Sequence, residues 1–165
     1  MPVRVIVTGS RDWTDYEAVF TALNRFYQEA WDRALGDDDP DFRLIVVQGG
    51  AAGADAAARV WVDFVRAQGY PVEQETWEAN WTPYGRVAGP RRNKAMVEAG
   101  ATEVLAFLNR CKDPSCNRRG VHGSHGAANC VMLAKRAGIP VVLHVNYGDS
   151  DGEIHTGQPG LPFDT

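Results

Sequence analysis

The sequence predicts an α/β protein, a three-layer sandwich around a mostly parallel five-stranded sheet. Short apolar runs end in glycine-rich turns and lead into amphipathic segments, which is the pattern of strands alternating with helices. The 165 residues, 44% of them hydrophobic, suffice for one compact domain with a core but not for two ordinary domains. We therefore expect one domain over residues 1–145 and a tail over residues 146–165.

The first half of the chain supplies three of the predicted strands, at residues 3–7, 44–48 and 70–76. The helix after the first strand follows Thr14, whose spacing to Glu17 fits a capping box, and it carries an apolar stripe from Tyr16 to Trp31. This helix is expected to end near Gly36, before an acidic run that we interpret as a solvated loop. A helix rich in small residues follows the second strand and ends at Gly69.

The second half completes the alternation after an aromatic connection at residues 77–84. A short helix follows, with Pro90 in its first turn and Gly100 at its end. The remaining predicted elements are a strand at 103–108, a helix at 126–137 and a strand at 139–145. A polar segment at 109–125 interrupts the alternation as a short insertion, and the tail from residue 146 is expected to wrap the surface or to be disordered.

Composition excludes several classes of function. The net charge of −4 argues against a broad surface for nucleic acid, although it leaves room for a local basic pocket. The longest apolar runs are far below the roughly 20 residues of a membrane span, and the N-terminus lacks the regions of a signal peptide. Three cysteines cannot all pair within one chain. We therefore expect a cytoplasmic protein, with homo-oligomerisation left open.

Several loops of the predicted sheet could bind a ligand. Ligands of parallel sheets collect at the carboxyl ends of the strands, where helix N-termini present unpaired N–H groups. Three glycine-containing loops reach that edge, and Arg92 could fork onto phosphate oxygens there. The plainer alternatives are tight turns for the glycines, a helix-dipole role for Asp55, and core packing for Trp13 and Trp81 rather than stacking on a base. The candidate ligand-binding residues are Gly9, Ser10, Arg11, Trp13, Gly49, Gly50, Gly53, Asp55, Arg92, Asn93, Ser124 and Gly126.

The insertion at 109–125 concentrates metal ligands. Its cysteines and histidines, together with Cys130, follow the intervals C-x4-C-x5-H-x2-H-x4-C, and a tetrahedral zinc site needs four such residues. A metal would close a polar loop that has no apolar core of its own, whereas the plainer alternative is incidental cysteines and phosphate-loop histidines. We predict a structural zinc ion on Cys111, Cys116, His122 and His125. Cys130 lies about one helical turn further on and is expected to face the core, but it replaces His125 if that histidine faces the ligand.

Three ordered segments resemble the SLOG superfamily: TGSRDW at 8–13, GGAAGAD at 49–55 and AGPRRNKAM at 88–96. The pattern is most similar to the YspA/YpsA-related branch met in bacteria and phages, and the resemblance covers roughly residues 3–145. It implies a Rossmann-like fold that binds nucleotides or nucleotide derivatives, including ADP-ribose-type signals. We therefore expect a binding or sensing protein with a small-molecule, nucleotide-type partner.

A more distant resemblance, to the cytokinin-activating LOG enzymes often labelled lysine decarboxylase-like, implies the alternative of an N-glycosidic hydrolase. Their Arg-Lys-Ala-x-Met segment is similar to the one that begins at Arg92, but Cys130 stands where they carry the catalytic glutamate. A thiol cannot replace a carboxylate beside an oxocarbenium-like centre, so hydrolysis would need another acid, such as Glu75 or Glu78. A third hypothesis comes from a DNA-processing branch of the superfamily, namely binding of single-stranded DNA, and the negative net charge argues against it.

Overall fold

The computed structural model describes residues 2–147, and within them five strands form one all-parallel sheet. The strand order is β3-β2-β1-β4-β5, which confirms the predicted α/β class. The strands are β1 (Val3–Gly9), β2 (Leu44–Gln48), β3 (Val72–Thr76), β4 (Glu103–Asn109) and β5 (Val141–Asn146). From β1 the chain first adds strands on one side and then, after β3, returns to add β4 and β5 on the other. The order therefore reverses between β1 and β4, and such a switch point is where parallel sheets bind ligands.

Helices cover both faces of this sheet. The helices are α1 (Tyr16–Gly36), α2 (Ala54–Ala67), α3 (Trp81–Tyr84), α4 (Ala88–Glu98) and α5 (His125–Arg136), with a 3₁₀ turn at Gly85–Val87 before α4. The central strand β1 is buried on both faces: Val5 and Val7 pack toward α1 and α2, and Ile6 packs toward α4 and α5. This two-sided burial is why three consecutive residues of β1, Val5–Val7, are all apolar.

Some boundaries differ from the sequence prediction. Asp15, not Thr14, caps α1, because its carboxylate accepts a hydrogen bond from the N–H of Ala18 at 3.0 Å. Tyr16 is therefore the first helical residue, and it is 37% exposed rather than part of the buried stripe. The aromatic connection contains a helical turn, α3, that the apolar pattern was too short to reveal.

The fifth strand, predicted over residues 139–145, spans Val141–Asn146, because its last residue pairs with the end of β4. Residues 148–165 of the predicted tail lie outside the described residues. None of the helices in the described part of the chain has the length and apolar character that a membrane crossing requires.

Candidate ligand cavity and metal centre

A cavity of about 350 Å³ lies at the carboxyl end of β1, beside the switch point. Its walls come from the loop after β1, the start of α2, the α3–α4 segment and the start of α5. Most of the predicted ligand residues line it together: Gly9, Ser10, Arg11, Asp55, Arg92, Asn93, Ser124 and Gly126. Sequence segments that are far apart in the chain thus meet at the sheet edge where we expected them.

Two hydroxyl groups join the first and last of these walls. Ser10 is 1% exposed, and its Oγ lies 2.6 Å from the Oγ of Ser124. The same Ser10 Oγ accepts a hydrogen bond from the backbone N–H of Asn109 at 2.8 Å, and the N–H of Ser124 donates to the carbonyl of Asn109 at 3.1 Å. The loop after β1 is therefore fixed to the start of α5 through the end of β4.

Asp55 holds the loop after β2 in place. Its Oδ2 accepts hydrogen bonds from the backbone N–H groups of Gly49 at 3.0 Å and Ala51 at 3.2 Å. Burial raises the pKa of Asp55, although these amides and the nearby Arg92 favour its charged form. Asp55 thus serves the loop as a first-turn acid and also reaches the cavity, so the structural and ligand-binding interpretations of this residue coexist.

Arg92 crosses from α4 to the loop after β2. Its Nη1 donates to the carbonyls of Gly49 and Trp77, and its Nε donates to Oδ1 of Asn93 at 2.8 Å. A side chain at Gly49 would overlap this guanidinium, which explains why a glycine stands there. Backbone carbonyls therefore hold one edge of the guanidinium while Arg92 lines the cavity.

Asn93 ties the two helices on this face together. It is 2% exposed, and its Nδ2 donates to the carbonyl of Gly126 at 3.0 Å and to Oδ1 of Asn129 at 3.1 Å. The amide therefore fixes the first turn of α5 against α4. Asn93 therefore fixes the positions of two cavity walls, and it also contributes a polar side chain to the lining.

Four of the predicted ligand residues do not line the cavity. Gly50 and Gly53 have positive φ of 76° and 73°, and a side chain on Gly53 would meet the backbone carbonyl of Ser10, so both glycines shape the loop instead. Gly49 lies beneath Arg92. Trp13 is 6% exposed and packs 5.4 Å from the ring of Phe107, so it is a core residue and offers no face to a base.

Trp81 occupies the place that we expected of Trp13. It is 50% exposed, it lines the cavity, and the guanidinium of Arg11 lies 5.4 Å from its ring centroid. A Cβ at Gly89 would lie 3.5 Å from the indole, an ordinary van der Waals contact, so Gly89 borders the ring without being required by it. The remaining lining residues, which sequence reasoning missed, are Thr8, Asp12, Ala51, Gly89 and Ala127.

The cavity has mixed charge, with two arginines and two carboxylates in its walls. Asp12 is already engaged: Asn109 donates to its Oδ1 at 3.0 Å and Lys112 lies 3.1 Å from its Oδ2, and these contacts lower its pKa. The first amides of α5 have no partner inside the helix, and Ser124 makes no side-chain cap. Among the described residues no acceptor is bonded to these amides, so this helix N-terminus offers partial positive charge and N–H donors to an anion.

A second site lies in the predicted insertion. The side chains of Cys111, Cys116, His122 and His125 converge, and their ligand atoms all lie within 4.8 Å of one another. The Nε2 of His125 lies 3.4 Å from Sγ of Cys111, 3.2 Å from Sγ of Cys116 and 3.3 Å from Nε2 of His122. These four residues are positioned to hold a metal ion, as the spacing predicted.

The surroundings orient these ligands. The Nδ1 of His122 lies 3.0 Å from the carbonyl of Gly120, which directs its Nε2 toward the other ligands. The backbone N–H of Cys111 donates to the carbonyl of His122 at 2.7 Å, closing the two ends of the loop against each other. Asp113 lies 4.0 Å from Nδ1 of His125. Both histidines thus present the same ring nitrogen to the centre.

Cys130 lies apart from this cluster. It is 0% exposed and packs with Ile6, Val47 and Met96 between α5 and the sheet. Burial raises the pKa of the Cys130 thiol to about 11, which keeps it protonated. His125 therefore belongs to the metal cluster, and Cys130 takes the core position that we expected.

Comparison with known proteins agrees with this architecture. Residues 3–84 match the family described as the YspA, cpYpsA-related SLOG family. The chain is also 39% identical over 149 residues to the Gene 61 protein of Mycobacterium phage D29, and the alignment spans 88% of this chain and 97% of that protein. The family match contains the first two loops of the cavity and Trp81, whereas Arg92 and the metal ligands lie beyond it.

Proposed function

The chain belongs to the YspA, cpYpsA-related SLOG family, and on that premise we propose that it binds a nucleotide or a nucleotide derivative of the ADP-ribose type in the cavity, as a binding or sensing protein. The observation that carries this proposal is the meeting of Arg92, two serine hydroxyls and the N-terminus of α5 in one cavity at the switch point. Cationic and N–H donors in this arrangement suit a phosphate group.

The guanidinium of Arg92 is preorganised to bind an anion. Its Nη1 and Nε have protein acceptors, whereas its Nη2 has none among the described residues. A side chain already fixed by backbone carbonyls loses little conformational freedom when it binds phosphate. Arg92 is therefore the residue that we assign to the phosphate.

The other walls suit a ribose and a base. The half-exposed indole of Trp81 offers a flat face, and the buried carboxylate of Asp55 can accept a hydrogen bond from a ribose hydroxyl. A volume of about 350 Å³ falls at the small end of the range for ligand sites. The cavity itself thus suits a mononucleotide unit, and a larger ligand would extend past Trp81.

The hydrolase alternative lacks the carboxylates that it was expected to use. Glu75 forms a bidentate pair with Arg4, at 2.7 and 2.9 Å, and also accepts a hydrogen bond from the indole of Trp77. Neither Glu75 nor Glu78 lines the cavity, and Cys130 lies in the core. Within the described residues, the carboxylates that do line it are the engaged Asp12 and the loop-binding Asp55.

A calorimetric screen of nucleoside mono- and diphosphates, dinucleotides and ADP-ribose tests this function. We expect at least one binder, and we expect Arg92→Ala to weaken it about 10- to 150-fold, since hydrogen bonds to charged groups contribute about 1.5–3 kcal/mol. Arg91→Ala is the matched control, because Arg91 stacks on Tyr84 outside the cavity. Arg92→Lys, which keeps the charge without the fork, should lie between the two.

The same screen decides between binding and hydrolysis. Absence of any binder, or equal affinities of Arg92→Ala and Arg91→Ala, would contradict the proposed site. Chromatography of each nucleotide after long incubation should show no free base. Release of base by the pure protein that is lost in Arg92→Ala would instead establish the hydrolase alternative.

We also propose that the metal is zinc and that its role is structural. Two thiolates and two imidazoles are typical zinc ligands and fill a tetrahedral shell without an open position. Zn–S bonds of about 2.3 Å and Zn–N bonds of about 2.0–2.1 Å give tetrahedron edges of about 3.5 Å between N and S and about 3.3 Å between the two N atoms. The separations of 3.2–3.4 Å around Nε2 of His125 fit these edges.

Elemental analysis of protein purified without chelator tests the metal. We expect about one zinc per chain, and Cys116→Ser should lower this content sharply because the thiolate is the stronger ligand. Cys130→Ser is the matched control and should keep its zinc, since Cys130 lies in the core. Stoichiometric zinc in Cys116→Ser, or a metal-free wild-type protein, would refute the site.

A further inference from the structure

The metal centre and the ligand cavity share one stretch of backbone. His125 is a metal ligand and the first residue of α5, and the residues on either side of it, Ser124 and Gly126, line the cavity. We propose that the metal ion positions the N-terminus of α5 for the ligand, so that metal and ligand bind cooperatively. This inference rests on the proposed function, and it makes His125 a positioning residue that acts through the metal.

Among the described residues, the hydrogen bonds of Ser124 and Gly126 lie on the inner side of this stretch. Ser124 is bound to Ser10 and Asn109, and the carbonyl of Gly126 accepts from Asn93. The side chain of His125 points the other way, is 41% exposed, and is surrounded by the other metal ligands. The position of the outer side of the α5 N-terminus is therefore set by the group that the side chain of His125 binds.

Polar contacts among the four ligands cannot replace the ion. The Nε2 of a neutral histidine either donates or accepts a single hydrogen bond, yet Nε2 of His125 has three polar neighbours at 3.2–3.4 Å. Its closest neighbours, Cys116 and His122, also contact each other at 3.3 Å. One metal ion can coordinate all four ligand atoms at once. Without it, most of these close contacts cannot be hydrogen bonds, and the ligand atoms are left without partners.

The rest of the insertion gives the histidine little support. Its backbone is closed by the bond between Cys111 and His122 and by the isolated bridge between Arg110 and Gly123. Between these points the residues are exposed or half-buried, the bonds of Asp113 to Ser115 are local, and the ion pair of Lys112 with Asp12 is exposed to solvent. Loss of the metal should therefore release residues 111–122 and, through His125, the first turn of α5.

The cooperativity has a defined consequence because coupling between two binding sites is reciprocal. If the metal raises ligand affinity by a given factor, the ligand raises metal affinity by the same factor. Couplings between sites are typically 5- to 150-fold, and sites that share a helix end belong within that range. We expect at least about a 5-fold loss of ligand affinity when the metal is removed.

The test is calorimetry with ADP-ribose, or with the tightest binder of the nucleotide screen, on zinc-loaded, chelator-stripped and zinc-reloaded protein. We expect binding by the loaded form, binding weaker by at least about 5-fold after stripping, and recovery after reloading. His122→Ala removes a metal ligand that does not line the cavity, so it should reproduce the stripped protein and be insensitive to chelator. Ser115→Ala, in the same loop but outside the cluster, is the matched control and should behave as wild type.

Amide hydrogen exchange measured without any ligand tests the positioning role of the metal independently of the proposed nucleotide binding. Without any ligand, metal removal should speed exchange at Ala128, whose N–H bonds to the carbonyl of Ser124, while β1 stays protected. If the loaded protein binds no nucleotide, the proposed function fails, and the exchange experiment alone decides whether the metal orders α5. Equal ligand affinity with and without zinc, or unchanged exchange at Ala128, would overturn the positioning role.

Discussion

Replacement of Ser10 by alanine removes a single hydroxyl group, but it should lower the free energy of unfolding by more than so small a change suggests. The Oγ of Ser10 accepts a hydrogen bond from the backbone N–H of Asn109 at 2.8 Å, and it forms a second hydrogen bond with the Oγ of Ser124 at 2.6 Å. In Ser10→Ala the N–H of Asn109 loses its acceptor, a hydroxyl that is 1% exposed, and leaving such a partly buried donor unpaired costs about 1–3 kcal/mol. For a domain of this size each kcal/mol lowers Tm by about 2–4 °C.

The partner residue supplies the control. Ser124→Ala removes the contact between the two hydroxyls but leaves Ser10 as the acceptor for Asn109, so it should cost only about 0.5–1.5 kcal/mol. The double variant should be less destabilised than the sum of the single variants by roughly 1 kcal/mol, because the shared hydrogen bond is lost only once.

Urea unfolding of the four proteins, all at one fixed zinc concentration, measures these free energies of unfolding. Constant zinc is needed because a ligand of the folded state adds to the apparent stability. If Ser124→Ala were as destabilising as Ser10→Ala, or if the two changes were additive, the shared hydroxyl pair would not join the two walls of the cavity.

Three further predictions follow from individual contacts. Gly53→Ala should destabilise the fold by about 3 kcal/mol or more, measured by urea unfolding, because the residue has φ of 73° and a side chain would meet the carbonyl of Ser10. The hydrogen bonds from Arg4 lower the pKa of Glu75, so this pair stabilises the protein fully above about pH 4.5 and less as pH falls through the lowered value. The difference in unfolding free energy between wild type and Glu75→Gln should therefore shrink below about pH 4.5. Cys130, with its pKa raised to about 11, should resist alkylation at pH 8 until the protein unfolds, as peptide mass mapping would show.

The fold was predictable because the middles of β1 and β4 are buried on both faces and read as short apolar runs, Val5–Val7 and Val104–Leu108. The exact caps were not predictable from spacing alone. Thr14 and Asp15 are both good capping residues, and only the backbone geometry decides that Asp15 accepts from Ala18. Likewise α3 has four residues, too few for a helical period to show in the sequence.

The metal cluster was the part of the sites that the sequence indicated most directly, since its ligands are close in the chain and have few other uses. The cavity was harder, because a glycine in a loop looks the same whether it lines a ligand site or lets the backbone turn. Gly9 lines the cavity whereas Gly53 accommodates the carbonyl of Ser10, a distinction that depends on contacts between distant segments. Both Trp13 and Trp81 are candidates for stacking and only Trp13 is predicted as a ligand residue, but packing against Phe107 places Trp13 in the core.

By the resemblance to the LOG enzymes, Cys130 stands where they carry a glutamate, and its surroundings support the proposed binding function over the hydrolase alternative. Cys130 is packed among apolar side chains, where a carboxylate would be costly to bury without a partner. Next to it, Asn129 turns toward Asn93 and helps to fix α5 on α4. In this chain α5 packs against the sheet and α4 on one side, and its N-terminus carries the residues of the proposed metal and anion sites. We therefore expect that placing an acid there by Cys130→Glu destabilises the fold, as urea unfolding would show, rather than creating a hydrolase.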